Sequence, residues 1–205
     1  MANIFSYHGG SMIGMKGKDC VAIAMDRRLG AQYKTVSTNY QRVFQMTDKT
    51  IAGFIGLGGD IQTLAAELRA KLNLYSLKEN RQISPETLSW MLAALQYKRR
   101  FSPYFIEPLV AGLDDKNQPY LSTADSIGCM CDKDGFFCIG TGSENMLGIC
   151  ESFYKDDLES EDLFEVISQC LLSGLDRDAF SGWGAVIYMI TPAGITAKTL
   201  KARMD

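Results

Sequence analysis

The hydrophobic period of this chain switches repeatedly between two and 3.6 residues, and that succession is what most limits its fold. From "SMIGMKG" to "IAGFIGLG" the pattern is extended: "CVAIAMD" is a short apolar run ending in charge, and "TVSTNYQRVFQM" mixes β-branched and aromatic residues before the turn "TDK". Beyond Asp60, which reads as an N-cap, Ile61, Leu64, Ala65, Leu68 and Leu72 form one helical face. Ser84 and Pro85 then predict the cap and first turn of a second helix carrying Leu88, Met91, Leu92 and Leu95, and "FSPYFIEP" stops it. Extended runs return in "PLVAGLDD", "YLSTAD" and "GFFCIGTG". Helical spacing follows in "SENMLGICESFY" and, after Ser160, at Leu163, Val166, Ile167, Cys170 and Leu171. The chain closes with "WGAVIYMIT", the turn "PAG" and "ITAKTLKARMD". Strands and helices in alternating blocks describe one α+β domain over residues 1–205 rather than a βαβ array. Two antiparallel sheets packed together, with a helix pair outside each, cover every amphipathic face.

The 205 residues suffice for one full core, and a formal charge of −3 argues against a nucleic-acid partner. The longest apolar runs fall far short of a membrane span, and "MANIFSYHGG" lacks the pattern of a secretory signal. An intracellular protein is expected. The six cysteines are scattered through apolar segments, which predicts reduced, partly buried thiols. "CMCDKDGFFC" does not read as a zinc site, because its C-x-C spacing is too short and His8 is the single histidine. Cys129 and Cys131 would share one strand face, as core residues do. No metal or cofactor is expected. Backbone carbonyls near "DRDAFSG", or the carboxylate of Asp205, would leave no side-chain signature of a magnesium site.

Several short stretches invite a chemical reading. "GFIGLGGDIQ" resembles a phosphate loop, yet Ile61 stands where the dinucleotide fingerprint needs a small residue, and Asp60 puts negative charge at the helix start. A tight strand–helix turn is the better reading. Asp26 and the arginines of "VAIAMDRR" follow a buried run, and "GLDRDAFSGWG" crowds acids, Ser181 and glycines at a helix–strand junction. "HGGSMIG" admits either self-cleavage before Ser11 or a plain lead-in to the first strand.

In their order and spacing, "KGKDCVAIAMDRR", "GLGGDIQTLAAELRAKLNLY", "GTGSE" and "DRDAFSGWG" resemble the proteasome beta subunits. The leader "FSYHGGSMIGMKG", "YFIEPLVAGLD" and the tail "TAKTLKARMD" extend the likeness to nearly the whole chain. The resemblance implies the four-layer α-β-β-α sandwich of the N-terminal-nucleophile hydrolases. It implies a place in a seven-membered beta ring that faces a second beta ring and borders an alpha ring, in cytoplasm and nucleus, within ubiquitin-dependent and ATP-independent protein degradation. Active members free a threonine after a glycine. With Asp26 at the family's aspartate, counting back puts Gly10 at the nucleophile, and Ser11 is one residue late, on the opposite strand face. Arg42 falls where active members carry a lysine; its guanidinium does not deprotonate. Thr141, Asp178 and Ser181 match supporting positions, Gly56 the substrate-cradling glycine, and Arg28 is placed to donate to Asp178. The chain thus reads as catalytically silent, with residues 1–10 an uncut leader and Ser11→Ala a surface-like change. The alternatives are an active peptidase that uses Ser11 after Gly10–Ser11 cleavage, and a free-standing binding domain.

Overall fold

A computed structural model describes residues 4–204. A short 3-10 turn, Ile4–Ser6, precedes β1 (Ser11–Lys16), β2 (Val21–Asp26), the small hairpin β3 (Leu29–Ala31) and β4 (Lys34–Ser37), β5 (Val43–Thr47) and β6 (Thr50–Gly56). Helices α1 (Gly58–Glu79) and α2 (Pro85–Lys98) follow, then β7 (Ile106–Leu113), β8 (Pro119–Ala124), β9 (Met130–Cys131) and β10 (Phe136–Gly140). The chain ends with α3 (Ser143–Phe153), α4 (Ser160–Leu175), β11 (Ala185–Thr191) and β12 (Gly194–Leu200). Asp205 lies outside the described residues, as do the first three residues of the expected leader.

One antiparallel sheet has the order β10-β1-β2-β11-β12 and the other β5-β6-β7-β8-β9. Strand alternation divides their apolar residues among three cores. Met12, Ile23, Ile55, Leu109 and Leu121 meet between the sheets. Ile13, Met15, Ala24 and Ile187 face outward beneath Met146, Leu163, Ile167 and Leu171 of α3 and α4. Phe54, Ile106 and Val110 leave the second sheet on its other side to meet Ile61, Leu64, Leu68, Leu88 and Leu92 of α1 and α2. The layers therefore run α-β-β-α, as the pattern and the resemblance both predict.

Ser84 caps α2 as expected, accepting the Thr87 amide at 3.3 Å with Pro85 in the first turn. Asp60 does not cap α1. The helix begins earlier, at Gly58, and the Asp60 carboxylate turns away to accept the Phe105 amide at 3.0 Å. The single extended run expected over "TVSTNYQRVFQM" is broken into β4 and β5, because residues between them bond back to the loop after β2 (Tyr40 N to Arg27 O, 3.0 Å). Cys129 and Cys131 are exposed, contrary to expectation: β9 is only a two-residue strand at the edge of its sheet, and Cys129 lies just before it.

The "GLGG" turn is the tight strand–helix junction its sequence suggests. Gly56 has φ +134°, and a Cβ there would lie 2.1 Å from the Phe105 carbonyl oxygen. Gly56→Ala is expected to cost at least ~2 kcal/mol from backbone strain and overpacking together, read as a lowered denaturant midpoint of the full-length chain.

Candidate functional site

Strand β1 sets the geometry of the site. Gly10 immediately precedes it, and a side chain there would share the face of Met12, between the sheets; Ser11 shares the opposite face with Ile13 and Met15. The inward space beside Gly10 is filled. A Cβ on Gly10 would lie 2.7 Å from the Cζ, Nε and Nη2 atoms of Arg42, and Gly10 itself adopts φ +119°. Arg42 arrives from just before β5 and is 1% exposed.

Its guanidinium is anchored on Asp26 at the end of β2, which is 0% exposed: Nη1 to Oδ1 is 3.0 Å. Further contacts from Nη1 and Nη2 reach main-chain carbonyls. Nη1 contacts Asp26 O at 3.4 Å, and Nη2 donates to Gly9 O at 3.1 Å and to Arg28 O. Asp26 in turn accepts amides from Ser11 at 3.2 Å, Arg28 at 3.2 Å and Gly182 at 3.1 Å. Burial pushes its carboxyl above the ordinary carboxylate range, while Arg42 and these amides pull it down. One buried ion pair thus ties together the leader, β1, the loop after β2, and the loop before β11.

On the other face of β1, the Ser11 hydroxyl is 0% exposed and accepts the Gly142 amide at 3.0 Å. It lies 3.1 Å from Ser181 Oγ and 3.4 Å from Asp178 Oδ2, so its one proton serves one of those acceptors. Asp178 is otherwise satisfied by Thr141 Oγ1 at 2.5 Å, Ser181 Oγ at 2.6 Å and the Phe180 amide at 3.1 Å. Thr141 also holds the Gly10 carbonyl through its amide, at 3.0 Å, while its hydroxyl, 3.3 Å from that carbonyl, gives its one proton to the nearer Asp178.

Residues before β1 are pinned as an extended peptide would be. Tyr7 O and His8 O accept the amides of Gln32 at 2.8 Å and Gly30 at 3.0 Å, along the β3–β4 hairpin. His8 Nδ1 accepts the Gly58 amide at 2.9 Å, at the N-terminus of α1. Burial, and secondarily Arg42, lower the imidazole below its ordinary value. A cavity of about 320 Å³ opens beside Phe5 and Ser6, lined also by Ile55, Glu107, Gly140 and Thr141.

The model of a family described as "Proteasome subunit" matches residues 6–190 of this chain. The chain belongs to the proteasome subunit family. A proteasome subunit beta type-3 of Drosophila melanogaster is 47% identical over 204 residues, which is 99% of this chain and all of the relative. Namesakes from Caenorhabditis elegans and Picea mariana are 46% identical over 203 residues, again 99% of this chain and all of each relative.

Against the positions read from the proteasome resemblance, the structure gathers Gly10, Asp26, Arg28, Arg42, Thr141, Asp178 and Ser181 into one hydrogen-bonded neighbourhood. Gly56 stands apart, against Phe105. The expected Arg28–Asp178 pair is not formed. Arg28 donates instead to Thr35 Oγ1 at 3.1 Å, Phe180 O at 2.8 Å and Gln32 O at 2.9 Å, while hydroxyls fill Asp178. The expectation of a surface-like Ser11 also fails, because α3 starts at Ser143 and brings the Gly142 amide over it. The sequence reading missed the Gly142 amide, the Phe180 carbonyl and the His8 acceptor, none of which a motif announces.

Ser11→Ala should therefore cost about 1–3 kcal/mol, from an orphaned Gly142 amide and a weakened Asp178 cluster, measured by denaturant unfolding of the full-length chain. Arg42→Met should cost more, about 3–5 kcal/mol, because it strands a buried carboxylate. The His8 anchor has a defined pH sign. Its lowered pKa means the docked imidazole resists a proton, so the stability it adds is complete above about 6.5 and declines as pH falls below that value. The protection factor for hydrogen exchange at Gly58, taken against the intrinsic rate at each pH, should fall between pH 7.5 and 5.5, and His8→Gln should flatten that change.

Proposed function

We propose that this chain is a non-catalytic beta subunit of the proteasome core particle, which builds the beta ring and chamber wall while neighbouring subunits cut peptide bonds. The observation that carries this reading is the Arg42 guanidinium, ion-paired to Asp26, in the space a nucleophilic side chain at Gly10 would need. Two further features support it. The Gly30, Gln32 and Gly58 amides are spent on the chain's own Tyr7–His8 segment, so they are closed to any other extended peptide. The Ser11 nitrogen is a peptide amide bonded to Asp26, and the Ser11 hydroxyl points away from the Arg42 side.

The relatives named proteasome subunit beta type-3 match this chain end to end. By that likeness the chain takes the corresponding place in a seven-membered beta ring, facing the opposing beta ring and bordering alpha-ring subunits, in cytoplasm and nucleus. Asp26, Arg28, Arg42, Thr141, Asp178 and Ser181 then serve as a structural network rather than as a proton relay.

The peptidase alternative requires cleavage of Gly10–Ser11. Intact-mass measurement of the chain taken from assembled particles separates the two readings. Retention of residues 4–10 is the expected result. A mature N-terminus at Ser11 would sink the non-catalytic reading.

A further inference from the structure

We propose that Cys138 and Cys150 form a disulfide when a peroxide reaches the protein, a reversible modification site that staples β10 to α3. Their sulfurs are already in contact at 3.6 Å, so closing to a ~2.05 Å bond takes roughly 1.5 Å of side-chain movement. Cys138 lies on β10, the edge strand of its sheet, and is only half-buried, whereas Cys150, on the inner face of α3, is fully buried. An outer thiol that meets the oxidant and an inner thiol that resolves it are therefore both present.

The other cysteines do not offer this arrangement. Cys129, just before β9, and Cys131, on it, are exposed, Cys131 directed at Asp134 at 3.7 Å, and Cys20 is buried against the Leu158 carbonyl. Cys170 of α4 borders Cys150 from the core side. The hydrogen bond to Cys138 is the largest influence raising the Cys150 thiol above its ordinary value, and its bond with Cys150 raises Cys170 likewise. Both inner sulfurs thus stay protonated, and the first attack falls to Cys138.

The chemistry balances with hydrogen peroxide as oxidant. The Cys138 thiolate attacks one peroxide oxygen, the O–O bond breaks, and a sulfenic acid forms as the departing hydroxide takes a proton to become water. The Cys150 sulfur then attacks the Cys138 sulfur. The S–S bond forms, the S–O bond breaks, and the Cys150 proton leaves with the hydroxide as a second water. Both thiols are oxidised and the peroxide is reduced.

The bond would close a short loop containing Gly140, Thr141 and Gly142. The amides of Thr141 and Gly142 hold the Gly10 carbonyl and the Ser11 hydroxyl, and that of Gly140 donates to Glu107. Oxidation should stiffen this wall of the site without any change of fold.

The test treats assembled particles containing the full-length chain with graded hydrogen peroxide, blocks free thiols under denaturing conditions, and maps peptides by mass. The expected product is a Cys138–Cys150 linked peptide that a thiol reductant reverses, with slowed hydrogen exchange over residues 141–150. Cys150→Ser should leave Cys138 as a sulfenic acid trapped by a dione probe, and Cys170→Ser should still form the link. The proposal is overturned if Cys138 and Cys150 both remain free at peroxide levels that fully oxidise Cys129 and Cys131. A Cys150–Cys170 link in place of Cys138–Cys150 overturns it equally. Mapping of the unmutated chain decides the matter whether or not the variants assemble.

Discussion

The buried pair between Asp26 and Arg42 is the contact on which the rest of the site depends. A guanidinium with 1% exposure is tolerable only if nearly every donor is matched, and here a carboxylate and three main-chain carbonyls share that work. Those carbonyls belong to Gly9, Asp26 and Arg28, so satisfying Arg42 fixes the path of the leader and of the loop after β2. Asp26 extends the same constraint through amides of Ser11, Arg28 and Gly182. Only Arg42 Nε is left without a protein partner in this cluster, facing the position a Gly10 side chain would occupy. Electrostatic necessity and steric exclusion therefore come from one residue.

Strand alternation turns that local fact into a functional one. Because Gly10 and Ser11 address opposite faces of β1, the Ser11 hydroxyl does not reach the space beside Gly10. Ser11 instead completes a hydrogen-bonded group with Gly142, Asp178 and Ser181, on the side of the sheet covered by α3 and α4. Thr141 joins the two faces, since it holds the Gly10 carbonyl and donates to Asp178. Together these residues are the mortar of a strand terminus. On the proposed reading, such a subunit supplies shape while other proteasome subunits supply chemistry.

Much of this was legible in the sequence. Period changes delimited the sheets and helices, and the one-residue offset of Ser11 from the register set by Asp26 already predicted opposite faces. What escaped was tertiary. Asp60 has the chemistry of an N-cap, but the Phe105 amide competes for it and α1 starts two residues earlier. Arg28 has the charge to pair with Asp178, but nearer carbonyls of Gln32 and Phe180 claim its donors. Ser11 looked dispensable because the sequence does not reveal which amide will arrive above it, and Cys129 and Cys131 looked buried because the sequence does not reveal that β9 is a two-residue edge strand. Each miss concerns a partner brought by a distant segment, which no local pattern encodes.

The central claim is that Arg42 itself excludes a side chain at position 10. The most direct measurement is a double-mutant cycle of Gly10→Ala and Arg42→Lys, read as denaturant unfolding of the full-length chain. The strain of Gly10→Ala at φ +119° is common to both backgrounds and cancels, leaving the collision with the guanidinium. The account predicts that Gly10→Ala is less damaging in the Arg42→Lys background by about 1–3 kcal/mol. Costs that add within ~0.5 kcal/mol would contradict it, because the two positions would then not share the space.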